Sequence, residues 1–440
     1  MVTIAFQFLG CRLNEAENEQ YARSLVQAGH RITTIDDKPD VIVLNTCGVT
    51  CDAMRKSRNY ARRMAALAPK ILVLMGCAID LMDSGESPIT DEELIHLAQE
   101  NTDCEHKLKI IRILRDDRPK TAQIILNAMD ETMADEIIDE AEKTAAAASY
   151  RLRMRSFIKI QDGCNNQCTY CAVRLARGRE RSEETSKIIS EINHCLALGE
   201  REIVLTGVQL GAWRENDRRL YNLIADILDK TSVQRLRISS IEPWHVRPEL
   251  WNLWLDKRLC PHFHIPVQSG SDGVLTAMKR RTPIDGYLEK IDAIRALIPN
   301  VRISTDLIVG FPGETDEMWL ETIDFIRRAQ FDEAHLFRFS PRPNTLAASL
   351  PNPVPAEIKK QRWNEAEQLI QSLQRKRLQN IIGSTHHVLW ESQTTDAQNN
   401  IKWIGYSENY LKFERNNTNL KRGDITEVTF LEEDIEGNLI

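Results

Sequence analysis

One segment organises the chain: Lys159-Ile-Gln-Asp-Gly-Cys164-Asn-Asn-Gln-Cys168-Thr-Tyr-Cys171. Its three cysteines have a C-x₃-C-x₂-C spacing and directly follow an apolar, β-type run, Phe157 to Ile160. A four-iron, four-sulfur cubane takes four ligands, so three thiolates leave one iron open to a ligand that is not protein. A zinc knuckle is the main alternative, but zinc usually takes four closed ligands, commonly as paired C-x₂-C units. The tight, asymmetric spacing favours an iron–sulfur site with a catalytic role.

The bulk composition is that of an ordinary globular protein with two or three domains: 440 residues, 42% hydrophobic and 28% charged. No apolar run approaches the ~20 residues of a membrane-spanning helix, so we expect no membrane association. The first residues read as a strand rather than a signal peptide. Ten cysteines without an export signal indicate a reducing, cytoplasmic location, where thiols serve metals or catalysis.

The net charge of −7 argues against a globally basic nucleic-acid binder. Its distribution is uneven, because the segment 151–182 holds eight Lys/Arg and two acids, and 54–64 holds five basic residues and no acid. Each basic patch could face a polyanion. For the second patch a solvated helix face is the alternative.

The first ~75 residues predict a parallel α/β sheet. Strand patterns at Val2–Phe8, Val41–Asn45 and Ile71–Met75 alternate with helical patterns at Asn14–Ala28 and Cys51–Leu67.

A cysteine follows each of the three strands: Cys11, Cys47 and Cys77. The carboxyl ends of parallel strands meet at one edge of the sheet, so these residues should lie together. Three separate buried thiols are the alternative; a shared metal centre is the prediction. The acidic, helix-prone segment 78–150 reads as the end of this domain plus a linker, and Cys104 within it reads as structural.

From Phe157 the chain alternates regularly between strand and helix patterns. Six strands are predicted, at Phe157–Ile160, Ile203–Thr206, Leu236–Ser239, His262–Pro266, Val301–Val309 and Ala334–Phe339. Six β/α repeats predict an open, partial (β/α)₆ version of the eightfold barrel, with its chemistry at the carboxyl ends of the strands. The cysteine loop follows the first strand, and polar, glycine-containing segments suited to a polar cofactor follow the later ones.

After a long charged helix (Ala356–Ile382), four short strand patterns predict a small β-barrel of the size of many RNA-binding modules. This part has five Lys/Arg and ten Asp/Glu, so net charge cannot attract phosphate. RNA contacts would come from Trp403, Tyr406, Tyr410 and Lys412, mainly by stacking. A module that only packs between domains is the alternative.

These motifs together resemble those of the radical S-adenosylmethionine (SAM) methylthiotransferases. The N-terminal matches are Gly10-Cys-Arg-Leu-Asn14, Asn45-Thr-Cys47 and Gly76-Cys77; the central ones are Lys159–Cys164, Arg177-Gly-Arg179, Phe263–Gly270 and Thr305–Thr315; the C-terminal one is Trp403–Tyr410. The resemblance covers nearly all of the chain except about 79–148. It implies an N-terminal methylthiotransferase domain (1–149), a radical SAM domain (150–383) and a small β-barrel called TRAM (384–440).

Within the family, Asp52–Arg58 and Ala334–Thr345 are most similar to the branch that methylthiolates carbon 2 of N6-threonylcarbamoyladenosine at position 37 of tRNA. Sister branches act on isopentenyladenosine in tRNA or on an aspartate of a ribosomal protein. The candidate substrate-binding cations are Arg55, Lys56, Arg58, Arg177, Arg179 and Arg338. The last three suit a carboxylate-bearing base.

The resemblance also implies two four-iron, four-sulfur clusters. Cys164, Cys168 and Cys171 would hold the cluster that reductively cleaves SAM to a 5′-deoxyadenosyl radical; Cys11, Cys47 and Cys77 would hold an auxiliary cluster that carries the inserted sulfur. Expected SAM contacts are Tyr170, Thr206, Gly207, Ser240, Glu242, Gln268 and Asp306. Expected partners are the tRNA anticodon loop and a flavodoxin- or ferredoxin-like reductant, with no sulfur donor indicated.

One position departs from the family pattern. Cys51 lies four residues after Cys47 and could compete with it as a ligand, although no third cysteine completes a local motif and a structural role is predicted. Cys195 and Cys260 are predicted to be packing residues. The non-enzymatic alternative for the whole chain is a zinc-stabilised RNA-binding protein.

Overall fold

The computed structural model describes residues 2–83, 89–100, 107–132, 154–395, 401–416 and 419–439. Cys104 and the alanine-rich linker near residue 145 lie outside these ranges. The described residues form five sheets: one of five strands at the N-terminal end, one of four and one of three in the central part with a two-stranded ribbon, and one of four at the C-terminal end. In the described residues no helix is both long and apolar enough to cross a membrane.

The N-terminal domain is a five-stranded parallel sheet in the order β2-β1-β3-β4-β5. The strands are β1 (Thr3–Phe8), β2 (Arg31–Thr33), β3 (Val41–Thr46), β4 (Ile71–Gly76) and β5 (Lys109–Ile113). The helices are α1 (Arg12–Gln27), α2 (Cys51–Ala65), α3 (Cys77–Asp83), α4 (Asp91–Glu100) and α5 (Thr121–Thr132). β3 and β4 are buried along their whole length, as strands covered on both faces must be.

The sequence prediction was incomplete in this domain. It missed the short edge strand β2, and it read 78–150 as helix-prone although β5 lies there and pairs with β4. β5 is half-buried at the opposite edge of the sheet, so its sequence lacks the continuous apolar run of a central strand.

The central domain confirms the prediction of a partial β/α barrel. Its six main parallel strands are β6 (Arg155–Asp162), β8 (Glu202–Gly207), β11 (Arg235–Ile238), β12 (His262–His264), β13 (Arg302–Val309) and β14 (Glu333–Arg338). Three two-residue strands add to them: β7 (Arg181–Ser182), β9 (Arg214–Glu215) and β10 (Arg218–Arg219). The helices span Val173–Arg177, Thr185–Ala197, Leu220–Lys230, Pro248–Trp251, Asp272–Ala277, Ile284–Leu297, Asp316–Ala329 and Ala356–Gln379.

Side chains alternate between the two faces of each barrel strand. One face packs against the helices and is apolar, as shown by Ile158, Leu205, Ile238, Phe263 and Ile303 in a single core. The intervening residues face the lumen and are largely polar or charged: Lys159, Glu202, Arg237, His264 and Asp306. The barrel therefore encloses a polar chamber.

Helix α1 of the N-terminal domain lies along β6 and borders this chamber. Ala16 packs with Phe157 and Val204, and Glu19 accepts a hydrogen bond from the backbone N–H of Phe157 (3.1 Å). The first domain thus closes part of the open side of the barrel.

The C-terminal domain is a four-stranded antiparallel sheet in the order β17-β16-β15-β18. The strands are β15 (Thr385–Thr395), β16 (Ile401–Ser407), β17 (Lys412–Arg415) and β18 (Ile425–Thr429). Within the described residues β17 and β18 do not pair, so the predicted barrel is present there as an open sheet.

The aromatic residues predicted to stack on RNA face inward instead. Trp403 is buried in the domain's own core. Tyr410 stacks on His262 of the central domain at a centroid distance of 5.0 Å, and its hydroxyl accepts hydrogen bonds from Arg12 (3.1 Å) and Arg155 (2.8 Å). Tyr410 therefore packs between domains, the alternative predicted for this module, whereas Trp403 packs within its own domain.

Candidate active site

The cysteine loop leaves β6 through a turn that needs glycine. Gly163 has a φ of +69°, and a Cβ there would lie 2.0 Å from the carbonyl oxygen of Arg179. Gln161 fixes the turn, since its Nε2 donates to the carbonyl of Gly163 (2.8 Å) and its Oε1 accepts from the N–H of Gln209 (2.8 Å). The start of the loop is thereby held rigidly at the carboxyl end of the first barrel strand.

The three cysteines of this loop are half-buried free thiols. Cys164 donates to Oε1 of Gln209 (3.3 Å) and accepts from the N–H of Asn166 (3.3 Å). Burial raises the pKa of Cys164 to about 11 and that of Cys171 to about 12. Free thiols here would stay protonated at neutral pH, and metal binding would displace those protons.

Arg280 connects this loop to the next strand exits, a role that no sequence motif indicated. Its guanidinium pairs with Glu242 (2.6 Å) and donates to the carbonyl of Pro266. Burial raises the pKa of Cys168, and a hydrogen bond from Arg280 opposes that shift. One cation therefore ties the cysteine loop to the segments after β11 and β12.

The predicted SAM contacts lie around the carboxyl side of the barrel. Thr206 and Gly207 end β8, Ser240 and Glu242 follow β11, Gln268 follows β12, Asp306 lies within β13, and Tyr170 packs against a small apolar cluster beside the loop. Gln268 has a φ of +83°, a strained value for a residue other than glycine. Their contact with SAM stays a prediction.

A cavity of about 550 Å³ opens beside the cysteine loop. Asn165, Gln209, His245 and Arg281 are among the residues that line it. Burial, together with the nearby charges of Arg247 and Arg281, lowers the pKa of His245 to about 4, so its imidazole is neutral at pH 7. This polar cavity was not foreseen from the sequence.

The second cysteine triplet meets at the carboxyl edge of the N-terminal sheet, as the strand order predicts. Cys11 follows β1, Cys47 follows β3 and Cys77 begins α3 directly after β4. A Cβ on Gly10 would lie 2.6 Å from Cβ of Cys47, so the first two loops touch. Burial raises the pKa of Cys47 to about 11 and that of Cys77 above its usual value.

The element that follows the first triplet contacts the second triplet. The helix Val173–Arg177, which follows Cys171, packs Ala172 and Ala176 into the same apolar cluster as Cys77 and Ala78. The central domain therefore presents the element next to one triplet directly to the other.

Arg177 ends that helix and lies at the junction. It donates to Sγ of Cys77 (3.2 Å), to Glu17 (2.9 Å) and to Asp162 (3.1 Å). Burial alone would raise the pKa of Glu17, but the charges of Arg177 and Lys159 hold it well below its usual value. Arg177 is only 2% exposed and is a buried clamp between the two domains; its contact with substrate stays a prediction.

Both triplets suit a polynuclear cluster better than a single ion. Among the described residues, the one set of three His, Cys, Asp or Glu donor atoms within 4.8 Å of one another contains no cysteine. One zinc ion needs its ligands gathered more closely than that, whereas a cubane spaces its thiolates around a larger body. A guanidinium that donates to a sulfur, as at Cys77, also suits a cluster-bound thiolate.

The other predicted substrate cations lie at accessible positions. Arg55, Lys56, Arg179 and Arg338 are exposed and Arg58 is half-buried, with Arg55 paired to Asp52 (3.0 Å). They remain available for an anionic ligand, and that role stays a prediction.

Cys51 is exposed and contacts the loop after β14. Its Sγ accepts from Oγ of Ser340 (3.3 Å) and from Nη1 of Arg342 (3.4 Å). This contact joins helix α2 to the barrel and agrees with the structural role predicted for Cys51. Cys195 and Cys260 are both buried, as predicted.

Comparison with known proteins covers nearly the whole chain. The model described as the Radical SAM superfamily matches residues 158–326, and that described as uncharacterized protein family UPF0004 matches residues 3–92. The chain is 31% identical to threonylcarbamoyladenosine tRNA methylthiotransferase MtaB of Bacillus subtilis (strain 168), over 98% of this chain and 94% of that protein. It is 32% identical to the tRNA-2-methylthio-N(6)-dimethylallyladenosine synthase of Chloroherpeton thalassium, over 96% of this chain and 94% of that protein.

A solved structure shares the fold. The radical S-adenosylmethionine methyltransferase TsrM from Kitasatospora setae, with tryptophan and a SAM analogue bound, superposes with a TM-score of 0.53 at 12% identity. The match covers 79% of this chain and 75% of that one.

Proposed function

Because the chain belongs to the radical SAM methylthiotransferase family, we propose that it methylthiolates carbon 2 of N6-threonylcarbamoyladenosine at position 37 of tRNA. The family uses SAM and a four-iron, four-sulfur cluster, and methylthiotransferases carry a second cluster. The observation that carries the proposal is the pair of cysteine triplets on adjoining elements, with Arg177 donating to Cys77 from the helix that follows Cys171. A site for making a radical and a site for holding sulfur would then face one substrate.

When bound, the two clusters and SAM would supply a carbon radical that can attack an unactivated C–H bond, and the sulfur to be inserted. This chain's residues would bind and orient them: Cys164, Cys168 and Cys171 at one site, and Cys11, Cys47 and Cys77 at the other. Arg280 keeps the first loop in register with the neighbouring strand exits. Helix α1 packs along β6 and closes part of the chamber, and such closure would limit the access of water to a radical.

The choice of substrate rests on a different observation. Relatives named for threonylcarbamoyladenosine and for dimethylallyladenosine are equally similar to this chain, so identity does not separate them. The barrel lumen is lined by polar side chains such as His264, Ser304 and Asp306. A substituent with N–H, hydroxyl and carboxylate groups can exchange hydrogen bonds with such a polar wall, whereas a hydrocarbon substituent cannot. This favours the threonylcarbamoyl substrate.

Mass spectrometry of nucleosides from tRNA tests the proposal. A strain without this gene should accumulate threonylcarbamoyladenosine that lacks the methylthio group, and wild-type protein should restore the product. A Cys11→Ala protein serves as the matched inactive control. Loss of the methylthio group from isopentenyladenosine instead would assign the chain to the sister activity, and unchanged tRNA would exclude both.

The surface proposed to receive the anticodon loop lies between α2 and β14. Arg55 and Lys56 are exposed on α2, and Arg338 is exposed at the end of β14. The contact of Cys51 with Ser340 brings these two elements together. We expect the double change Arg55→Ala and Lys56→Ala to lower the affinity for tRNA and to make that affinity less dependent on salt concentration. SAM cleavage should not change. A reductant such as flavodoxin or ferredoxin would supply the electron.

A further inference from the structure

Two histidines and an aspartate on three neighbouring barrel strands bring their donor atoms together. His264 ends β12, Asp306 lies in β13 and His335 lies in β14, where the register pairs Asp306 with His335. One nitrogen or oxygen atom of each residue lies within 4.8 Å of the other two. No other His, Cys, Asp or Glu set in the described part of the chain is gathered in this way.

We propose that His264, Asp306 and His335 bind a divalent transition-metal ion in the barrel lumen, at a site separate from both cysteine triplets. Two imidazoles and one carboxylate are a ligand set for first-row metals such as Zn²⁺, Fe²⁺ or Mn²⁺. Three protein ligands leave coordination positions open for water or a bound molecule.

The spacing of the donor atoms suits one ion. Nε2 of His264 and Oδ1 of Asp306 are 3.2 Å apart. Two ligands about 2.0–2.2 Å from a metal at roughly a right angle are about 3 Å apart. The rings of His264 and His335 have a centroid distance of 5.6 Å, so a small closure of His335 completes the set.

The surroundings of His264 favour metal binding at Nε2. Its other ring nitrogen, Nδ1, lies 2.9 Å from Oγ of the buried Ser304. Metal-bound histidines commonly hydrogen-bond through the second nitrogen in this way, which fixes the ring and its tautomer. Glu333 lies 3.6 Å from Nε2 of His335 and adds a second carboxylate. Two carboxylates within one group make a cation the complementary ligand.

The site faces the reaction chamber. His264 lies two residues before Pro266, whose carbonyl accepts from the Arg280 that contacts Cys168. The side chain of His335 is 45% exposed, so the ion's free positions would open toward the lumen. There it could bind a carboxylate, hydroxyl or phosphate oxygen of a molecule in the barrel. This gives Asp306 a different role from the SAM contact predicted from the sequence.

Manganese binding to the full chain with both clusters loaded tests the proposal. Free Mn²⁺ gives a six-line room-temperature EPR signal that disappears on binding, and oxidised four-iron clusters do not contribute to it. We expect one Mn²⁺ per chain, displaced by Zn²⁺, which binds such sites more tightly. Asp306→Asn and His335→Ala should each weaken binding by about tenfold or more.

His387→Ala is the matched control, because His387 is an exposed histidine that also lies near one carboxylate, Glu427 (3.5 Å). It should bind Mn²⁺ like the wild type. The circular dichroism and iron content of every variant report whether it is folded. The proposal is overturned if the wild type binds no Mn²⁺ or Zn²⁺ stoichiometrically. It is also overturned if folded Asp306→Asn protein binds them as the wild type does.

Discussion

Cys164, Cys168 and Cys171 lie on one loop, whereas Cys11, Cys47 and Cys77 come from three strand ends spread over 67 residues of chain. The first triplet is set by local spacing and by Gly163, which allows the tight turn. The second exists only once a parallel sheet has formed and β1, β3 and β4 end at the same edge. Two sites with similar donors therefore depend on different levels of structure, so damage to each should have different consequences.

The largest expected effect comes from removing one ligand from each triplet. Cys164→Ala should abolish SAM cleavage, and Cys11→Ala should preserve cleavage but block sulfur insertion. Each variant should hold about four irons per chain after anaerobic reconstitution, against about eight for the wild type. Methylthio product from the Cys11→Ala protein would contradict the division of roles.

Arg177 joins the first two domains beside Cys77, so Arg177→Met should affect both. It would leave the buried Glu17 with Lys159 as its remaining cation and take from the buried Asp162 its closest one, at a cost of about 3–5 kcal/mol in the free energy of unfolding. Arg179→Met is the matched control at an exposed position, with an expected change of about 0.5 kcal/mol or less. Denaturant unfolding measures both. Equal stability of the two variants would show that the clamp is unimportant.

A smaller effect is expected at the contact between the first and third domains. Tyr410→Phe removes a hydroxyl that accepts from Arg12 and Arg155, and it should cost about 1.5–3 kcal/mol. Tyr406→Phe is the control, because its ring also lies beside Arg155, at 5.2 Å. If both variants unfold at the same denaturant concentration, the hydroxyl contributes nothing to the domain contact.

The smallest effect is expected for Cys51→Ser, which is compared with Cys47→Ser, four residues earlier. Cys51→Ser should keep the full iron content, because Cys51 contacts Ser340 and Arg342 at the domain boundary. Cys47→Ser should lose the auxiliary cluster. Iron analysis of the two proteins, reconstituted side by side, shows which cysteine is a cluster ligand. A loss of iron from Cys51→Ser would show that Cys51 is one.

The features predicted from the sequence are those that depend on short-range residue patterns or on the order of the strands. The C-x₃-C-x₂-C spacing indicated the first triplet, and the βαβαβ pattern correctly placed Cys11, Cys47 and Cys77 at one edge. It also predicted six barrel strands within a few residues of their observed bounds.

Long-range pairing was not predictable in the same way. Arg177 was predicted to belong to a basic patch, but it is buried and pairs with Glu17, which is 160 residues away in the chain. Trp403 and Tyr410 were predicted to contact RNA on the basis of their aromatic side chains. Amino-acid type alone does not reveal which face of a small sheet is covered by other parts of the protein. The donors at His264, Asp306 and His335 come from three strands, and only the barrel register brings them together.

The contact of Tyr410 with Arg12 also has a consequence for biosynthesis. Arg12 follows Cys11 directly, and Tyr410 is made only after more than nine-tenths of the chain has been synthesised. Domains generally fold in order from the N-terminus as the chain emerges, so the first domain must wait for the third to complete its surroundings. A chain that ended before Tyr410 would therefore lack this contact beside Cys11.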